Sequence, residues 1–346
     1  MCKKFVCMLS IFLILVLGCG STITYAQKIP KTIPAEFSHI DSKNAPLYLK
    51  PLITTIHQSL TSSLFTEAHY QDDFSLGFDI SIAAMQIPEN AKNYTSSIPD
   101  IYVNNTKEYQ TLTGTGIHNP VTIQQPTIYG GTSTPLFVVG QNQTAKSLAS
   151  LDGKNIDAIL GLPIIQLSLN LPIYSQAKFC AAYYNQGDVS LSFLRVGYNQ
   201  RIDKLIKGLL HDQTMAIALH GSFNEITMAF GDSIQSNFSS LAIGIHASKK
   251  INKSFMIYAG FQWEDIQGGF DGARKKVNGQ IDSPYPEVKN NEHLQFNFVS
   301  DNSYKMILGL KAKYGIIDFF TDISLASQTM INSGFSVYFF RDTDFY

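Results

Sequence analysis

Two His-x-Ser spacings stand out among the residues that could do chemistry. His220 and Ser222 lie two residues apart, as do His246 and Ser248 in the next apolar stretch. Alternate residues of a β-strand share a face, so each pair would place an imidazole beside a hydroxyl. A histidine within hydrogen-bond reach can activate a serine nucleophile, which is the chemistry of hydrolases. The spacing is also common by chance on a polar strand face, and we predict no catalytic residue.

The sequence lacks the usual signatures of metal and cofactor sites. Its eight histidines are scattered, with no HExxH motif and no carboxylate cluster at ligand spacing. The glycine-rich stretch 268–279 lacks the strand-to-helix context of a phosphate loop. Cys180 is the one cysteine beyond the N-terminal apolar region, which predicts a small apolar filler and no internal disulfide. We therefore expect no metal and no cofactor.

The elements that carry these residues are predicted to be long β-strands. In residues 303–326, SYKMILGLKAKYGIIDFFTDISLA, apolar side chains alternate with mostly polar ones on both sides of Gly315. Leu308 falls on the apolar face and Lys311 on the other. Alternation with period two indicates a hairpin with one apolar and one wet face. The apolar face contacts either a soluble core or lipid.

Similar segments recur along the chain and predict a barrel. The first strong strand is Asp73 to Pro88, and more follow from Gly161. They run to about ten residues, and a tilted transmembrane strand needs about 9–11. Residues 89–155 lose the alternation, as a long outward loop insertion would. The predicted fold class is all-β: an antiparallel transmembrane β-barrel of about 10–14 strands over residues 73–346, with a short N-terminal helix.

The N-terminus has the pattern of an export signal. Two lysines precede the apolar run from Phe5 to Leu17, and small residues follow it. We expect a signal peptide over residues 1–26, cleaved after Ala26, with lipidation at Cys19 as the alternative. A retained helical anchor is disfavoured, because the run is shorter than the roughly 18 residues that a span needs.

Residues 27–72 are predicted to form a polar lead and an amphipathic helix. Apolar residues recur at helical spacing from Pro51 to Phe65, with Pro51 at the helix start. The polar face carries Thr, Gln and Ser rather than the basic residues of a membrane-surface helix. We expect this segment to pack against protein as a possible plug at one mouth of the barrel.

Bulk composition excludes some classes of function. The 346 residues carry a formal net charge of −1 and no basic stripe, so no nucleic-acid partner is expected. Charged residues make up 15%, below the roughly 25% of soluble domains. After the N-terminal run, no stretch reaches the roughly 20 apolar residues of a spanning helix.

Charged and histidine side chains at mid-strand positions are the candidate functional residues. On strands with one apolar and one polar face, they would face the polar interior of a barrel rather than lipid. The candidates to line the lumen are Asp79, Arg195, His220, His246, Lys311, Lys313 and Asp322. Aromatic residues near strand ends, among them Tyr258, Tyr314 and Tyr338, fit girdles at the lipid boundary.

Several motifs carry a resemblance to a known family. They are APLYLKPLITTIHQSL, FSLGFDISI, LGLPIIQLSLNLP, GDVSLSFLRVGYNQRIDKLIKG and YAGFQW. With these motifs the chain, from about Ala45 to Phe340, resembles an uncharacterised family of exported outer-membrane β-barrels from Bacteroidota and related bacteria. That family is distantly similar to FadL-type fatty-acid channels. The resemblance implies an N-terminal segment that can plug the lumen, and it lends no catalytic residues. The charged tail RDTDFY departs from the usual aromatic ending of such barrels.

The leading functional interpretation is a passive outer-membrane channel for small or hydrophobic solutes. The alternatives are a non-transporting barrel with a surface or assembly role, a soluble or lipid-anchored periplasmic β-sandwich, and a lipid hydrolase that uses a His-x-Ser pair. The expected partners are outer-membrane lipid, the barrel-assembly machinery and a hydrophobic small-molecule solute. The expected location is the cell outer membrane.

Overall fold

The computed structural model describes most of the chain beyond residue 41. The described residues are 42–70, 73–97, 122–133, 136–139, 145–148, 151–161, 163–186, 189–206, 209–210, 212–230, 234–273, 276–277, 280–281, 293–298, 300–301 and 303–340. The predicted signal peptide, its cleavage after Ala26, the alternative lipidation of Cys19 and the RDTDFY tail lie outside them.

The described chain contains one α-helix and eighteen strands. In chain order they are α1 (Ala45–Leu60), β1 (Ser75–Gln86), β2 (Asn93–Ser97), β3 (Thr122–Pro126), β4 (Leu136–Val139), β5 (Ala145–Leu148), β6 (Ala158–Leu160), β7 (Ile164–Leu171), β8 (Ser175–Gln186), β9 (Val189–Arg201), β10 (Met215–Phe230), β11 (Ile234–Lys250), β12 (Phe255–Ala273), β13 (Lys276–Val277), β14 (Gln280–Ile281), β15 (His293–Asn297), β16 (Tyr304–Tyr314), β17 (Ile317–Leu325) and β18 (Met330–Phe339).

Ten of these strands close into an antiparallel β-barrel. The order around the barrel is β1, β7, β8, β9, β10, β11, β12, β16, β17 and β18. Pairing of β1 with β18, for example Leu76 opposite Phe339, closes the ring. Outside the ring, β6 pairs with β1 and β15 with the far end of β12. The prediction of an all-β barrel with one short helix is confirmed, with a strand number at the lower bound.

The two ends of the barrel differ in their connections. One end, here called the terminal end, carries the start of β1, the end of β18, short turns such as residues 251–254 and one longer connection, residues 202–214 between β9 and β10. The opposite end, here called the loop end, carries the connection from β1 to β7 and that from β12 to β16. Long connections at one end and short turns at the other are typical of outer-membrane barrels.

A band of apolar side chains covers the outside of the barrel. On β12 the outward residues Phe255, Ile257, Phe261 and Trp263 are 37–56% exposed. From 255 to 263 a strand rises about 26 Å, at about 3.3 Å per residue. The inward residues Met256, Tyr258 and Gln262 between them are buried, and Gly260 is half-buried. Within the described residues, no helix is both long and apolar enough to cross a membrane.

The pattern of polar and apolar residues inverts at the loop end. Beyond Trp263 the outward positions become polar, as at Glu225, Asn237 and Asp265. The inward positions become apolar and form a cluster with helix α1. Its members include Leu49, Ile53, Cys180, Phe193, Ile226, Met228, Phe238, Phe270 and Phe296. The long strands therefore project past the apolar band and enclose a dry chamber that holds the helix.

Helix α1 begins and ends earlier than the sequence pattern predicts. It starts at Ala45 with Pro46 in the first turn, a position that tolerates a missing N–H, and Pro51 lies inside it. It ends at Leu60 instead of continuing to Phe65, because the next hydroxyls cap it. Thr61 Oγ1 donates to the His57 carbonyl at 2.9 Å, and Ser62 Oγ to that of Ser59 at 2.6 Å.

Two tyrosines predicted for the girdle lie inside the barrel instead. Tyr258 and Tyr338 are each 3% exposed. Tyr258 lies over Gly309 of the neighbouring strand and Tyr338 over Gly77, so a Cβ at either glycine would overlap the ring. Phe320 covers Gly334 in the same way. Large rings fit against the inner wall because the opposing residue has no side chain. Tyr314, which is 80% exposed, lies on the outside.

Candidate functional site: the filled lumen

The polar lumen is occupied by the chain that follows helix α1. We call Thr61 to Tyr70 the lumen segment. All ten of its residues are buried, and they contact the inward faces of strands from around the barrel.

Arg195 of β9 holds the upper part of the lumen segment. Its Nη1 donates to the carbonyl oxygens of Leu60 at 2.7 Å and Ser62 at 2.8 Å, and its Nη2 donates to Gln166 Oε1 at 2.9 Å. The side chain is fully buried. These carbonyls lie where the helix has ended and have no backbone partner there, so the guanidinium satisfies them.

A second group fixes Ser63 from two sides. Lys178 Nζ donates to the Ser63 carbonyl at 3.1 Å and pairs with Asp79 at 3.3 Å. Ser63 Oγ donates to Asn332 Oδ1 at 3.1 Å and lies 2.9 Å from Ser81 Oγ, whose hydroxyl can donate to it. Ser63 has a φ of 56°, so the chain turns sharply at this anchored residue.

Three further ion pairs, in two groups, bind the lumen segment. Near its start, Lys305 Nζ donates to the Thr61 carbonyl at 3.2 Å and pairs with Glu264 at 2.7 Å. Near its end, Glu67 receives Lys311 at 2.6 Å and Lys313 at 2.8 Å.

The charges of the wall are thus compensated by other charges or by the segment. Lys311 also pairs with Asp318 of β17 at 3.0 Å. Buried charges are tolerated when they are paired and hydrogen-bonded in this way.

The histidines of the two His-x-Ser motifs form a bridge between the wall and the segment. Their Nδ1 atoms lie 2.9 Å apart. His246 Nε2 lies 3.0 Å from the Glu67 carbonyl, and His220 Nε2 lies 3.1 Å from Gln262 Oε1. The Phe65 ring stacks on His246 with centroids 4.2 Å apart. The pair therefore binds the plug by hydrogen bonds and ring stacking.

The serines of these motifs are not paired with the histidines two residues before them in any hydrogen bond of the described chain. Ser248 Oγ accepts from the Ala68 amide at 2.9 Å and lies 2.8 Å from His69 Nδ1. Ser222 Oγ is buried with no hydrogen-bond partner among the described residues. Ser248 is thus part of the plug contact, and the lumen segment occupies the space that a substrate would need.

All seven residues predicted to line a lumen lie on the inward face of the barrel wall. Five contact the lumen segment directly, namely Arg195, His220, His246, Lys311 and Lys313. Asp79 acts through Lys178, and Asp322 accepts from Tyr258 and Asn332, each at 3.0 Å. A role in lining an open passage stays a prediction, because the passage is filled.

Sequence reasoning missed Lys178, Glu264, Lys305 and Glu67. Alternation could have found Lys305, which shares the face of Lys311 on β16. Glu67 had no such signal, because it lies in an irregular segment whose partners come from distant strands.

Two cavities of the described chain lie away from the centre of the lumen. A cavity of about 20 Å³ adjoins His69 and Tyr70 at the terminal end, and this is room for about one water molecule. A hollow of about 640 Å³ lies on the apolar exterior between Ile257, Leu308 and Ile331. No group of three or more His, Cys, Asp or Glu residues is arranged to hold a metal ion in the described part of the chain.

A closed barrel with an apolar exterior and a lumen filled by its own N-terminal segment defines the class of this protein as a plugged β-barrel. The chain belongs to a family of unknown function, DUF6588, whose model matches residues 2–339. The origin in Bacteroidota stays a prediction. No curated protein sequence matches the chain at a significant level.

Several solved barrels are similar in fold. An outer-membrane channel from Pseudomonas putida F1 is 11% identical, with 78% of this chain and 98% of that chain covered and a TM-score of 0.31. The translocator domain of the autotransporter NalP from Neisseria meningitidis is 7% identical, with 88% and 99% covered and a TM-score of 0.30. A FadL homologue from Pseudomonas aeruginosa is 9% identical, with 90% and 99% covered and a TM-score of 0.20.

Proposed function

We propose that this protein is an outer-membrane β-barrel that is closed to solutes by its lumen segment and acts through its elaborated loop end as a surface component. The observation that carries the proposal is the occupation of the lumen from Thr61 to Tyr70 by chain that is bonded to the wall along its length.

The membrane location is supported by the distribution of polar groups. Arg195, Lys305 and Lys311 are at most 1% exposed and face inward, whereas Leu308 and Leu310 face outward and are 50% and 57% exposed. A soluble barrel would reverse this arrangement, because water would cover its outside. An outward apolar band with a polar interior is the pattern of outer-membrane barrels. The export signal predicted from the sequence agrees with this location.

The small strand number supports closure. Eight strands enclose an interior that side chains just fill, whereas the open channels of porins need about 16–18 strands. A ten-stranded barrel has room for one extended chain and little else. The lumen segment with its ion pairs uses that room, so the protein is proposed to be non-conducting at rest.

A gated channel is the second candidate function. It is favoured by one observation: beside two small apolar clusters, the lumen segment is held by many polar contacts to charged wall residues, so its displacement would leave a hydrated passage. That passage would be lined by lysine, arginine and carboxylate side chains. It would suit small polar solutes rather than the hydrophobic solute expected from the resemblance to FadL-type channels.

Planar-bilayer recordings with a switchable cross-link test both candidates. Ser63 and Ser81 have their hydroxyl oxygens 2.9 Å apart, so the double variant Ser63→Cys/Ser81→Cys can tie the lumen segment to β1 by a disulfide. The native Cys180 is 3% exposed and will not compete. A variant lacking residues 42–70 provides the unplugged barrel, and a heat-dependent gel shift shows whether each variant is folded.

We expect the wild type to be silent and the unplugged barrel to conduct. If the wild type opens, and the oxidised double-cysteine variant opens only after reduction, the protein is a gated channel. Openings that persist in the oxidised variant would show that the lumen segment does not close the barrel. If the unplugged variant fails to fold, the oxidised and reduced recordings still separate these cases.

A further inference from the structure

We propose that the polypeptide runs through the barrel from the outside of the cell inward, so that Ser42 and the start of helix α1 are displayed at the cell surface. The inference rests on the proposed outer-membrane location and not on whether the barrel conducts.

The contacts of one strand give the direction of the chain. Strand β11 runs from Ile234 at the loop end to Lys250 at the terminal end. Along it, His57 lies 2.8 Å from Ser240, Phe65 stacks on His246, and the Ala68 amide donates to Ser248. Later residues of the segment meet later residues of β11. The chain therefore descends steadily from the loop end to the terminal end, where β1 begins at Ser75.

The start of helix α1 is anchored among the connections of the loop end. Tyr48 Oη donates to the Asp152 carbonyl at 3.0 Å, and the Ile128 amide donates to the Tyr48 carbonyl at 3.1 Å. The Asp152 carboxylate accepts from the Ser133 amide and hydroxyl, which lowers the pKa of Asp152. Ser42, three residues before the helix, is exposed.

Within the described residues, the lumen leaves no space for a second pass of the chain. The lumen at the level of Arg195, Lys178 and Lys305 is filled by side chains that are at most 2% exposed. A path along the outside would place irregular backbone in hydrocarbon, where its polar groups would find no partners. Helix α1 therefore enters from the loop end. In outer-membrane barrels the long connections face the exterior and the short turns face the periplasm.

Cysteine labelling on intact cells tests this topology. Ser42→Cys reports on the entry of the chain. Lys154→Cys, an exposed site in the connection from β1 to β7, reports on the loop end, and Lys253→Cys, in an exposed turn, reports on the terminal end. Each variant is treated with a membrane-impermeant maleimide before and after the outer membrane is permeabilised. The wild type, with buried Cys180, gives the background.

We expect Ser42→Cys and Lys154→Cys to be labelled on intact cells to the same extent, and Lys253→Cys only after permeabilisation. If Ser42→Cys is labelled only together with Lys253→Cys, the direction of the chain is wrong. If Lys253→Cys alone is labelled on intact cells, the barrel is inverted and the proposal is overturned. If none of the three sites is labelled on intact cells, or if all three are, the outer-membrane location itself fails, whereas silence or conduction in bilayers leaves this result unchanged.

Discussion

Several of the side chains that hold the lumen segment bind its backbone. Backbone carbonyl oxygens accept hydrogen bonds from Arg195, Lys178 and Lys305, in addition to any bonds that side chains of the segment make. Hydrogen bonds to charged groups contribute about 1.5–3 kcal/mol each. Recognition of this kind depends on where the chain lies more than on which residues it carries. The wall can therefore fix a segment rich in serine and threonine that has no regular structure of its own.

Glycines opposite aromatic rings allow the lumen to hold both the segment and bulky wall residues. We expect Gly309→Ala to destabilise the barrel by about 1–3 kcal/mol, because the new methyl group overlaps the Tyr258 ring and forces it into the lumen. The matched control is Gly221→Ala, where a Cβ meets nothing nearer than the Ala242 carbonyl at 3.6 Å.

Denaturant unfolding in detergent, followed by the gel shift, measures both glycine variants. Gly221→Ala should be neutral or slightly stabilising, since glycine in a strand interior costs about 0.5–1 kcal/mol relative to alanine. Equal stability of the two variants would show that the ring contact does not matter.

At the residue scale, alternation in the sequence was informative but incomplete. It placed Asp79, Arg195 and Asp322 on the face that the structure buries. It could not assign Tyr258, because aromatic residues occur both in girdles and over inward glycines, and the choice depends on the residue of the neighbouring strand. Pairing between strands is set by register, which one sequence does not show.

Helix α1 and the lumen segment are held by different balances of forces. The helix packs its Leu49 and Ile53 into an apolar chamber, whereas the segment adds ion pairs and hydrogen bonds to two small apolar clusters. The lower part of the segment depends on Glu67 and its two lysines. Local opening from the terminal end should therefore be possible without loss of the helix.

Hydrogen exchange can separate these two elements. We expect Glu67→Gln to reduce the local opening free energy of residues 66–70 by about 1–3 kcal/mol, because Lys311 and Lys313 lose their shared carboxylate. The Ala68 amide, bonded to Ser248, is the reporter. The Thr61 amide, bonded to the His57 carbonyl, should keep its protection.

The same substitution on the outer surface provides the control for this measurement. Glu225 lies exposed on the outside of β10, so Glu225→Gln should leave the exchange of both amides unchanged. Faster exchange of the Thr61 amide in Glu67→Gln would mean that the helix and the segment open as one unit.

The sequence predicted the existence of the N-terminal helix better than its limits. Pro51 suggested a start, but Pro46 takes the first turn and Pro51 is accommodated within the helix. The end at Leu60 combines the local hydroxyls of Thr61 and Ser62 with Arg195, which is far away in sequence and takes the carbonyl of Leu60. A long-range contact of this kind leaves no local pattern.

The whole molecule has two surfaces of opposite character along its axis. The apolar band fits lipid, and the projecting ends of β10 to β12 are polar outside and apolar inside, as in a soluble sheet. Length and alternation predicted the first surface. The inversion above Trp263 was not predicted, because a change of environment along a strand alters which face is apolar without altering the period.

Arginine substitutions on the outer surface of the barrel test where the lipid-covered part of that surface ends. We expect Leu308→Arg, in the apolar band, to lower the stability of the barrel in phospholipid vesicles by about 2–4 kcal/mol. Asn237→Arg lies on the polar outward face of β11, so it should change stability by no more than about 0.5 kcal/mol.

The folded fraction in vesicles against urea concentration measures both arginine variants. If Leu308→Arg is tolerated as well as Asn237→Arg, water and not lipid covers the apolar band. The barrel would then be a soluble one.

The passage of the chain through its own barrel has a consequence for the order of folding. The ring closes when Leu76 to Met85 of β1 pair with Met330 to Phe339 of β18, the most distant contact of the barrel in sequence. Once this seam is made, the wall surrounds Thr61 to Tyr70. The end of this segment nearest β1 is not free, because it continues into that strand. The segment is best placed before the seam forms, with strands assembling around it. We therefore expect the N-terminal segment to act as a template around which the strands assemble. Late pairing of β1 with β18 would then be the slow step in forming the barrel.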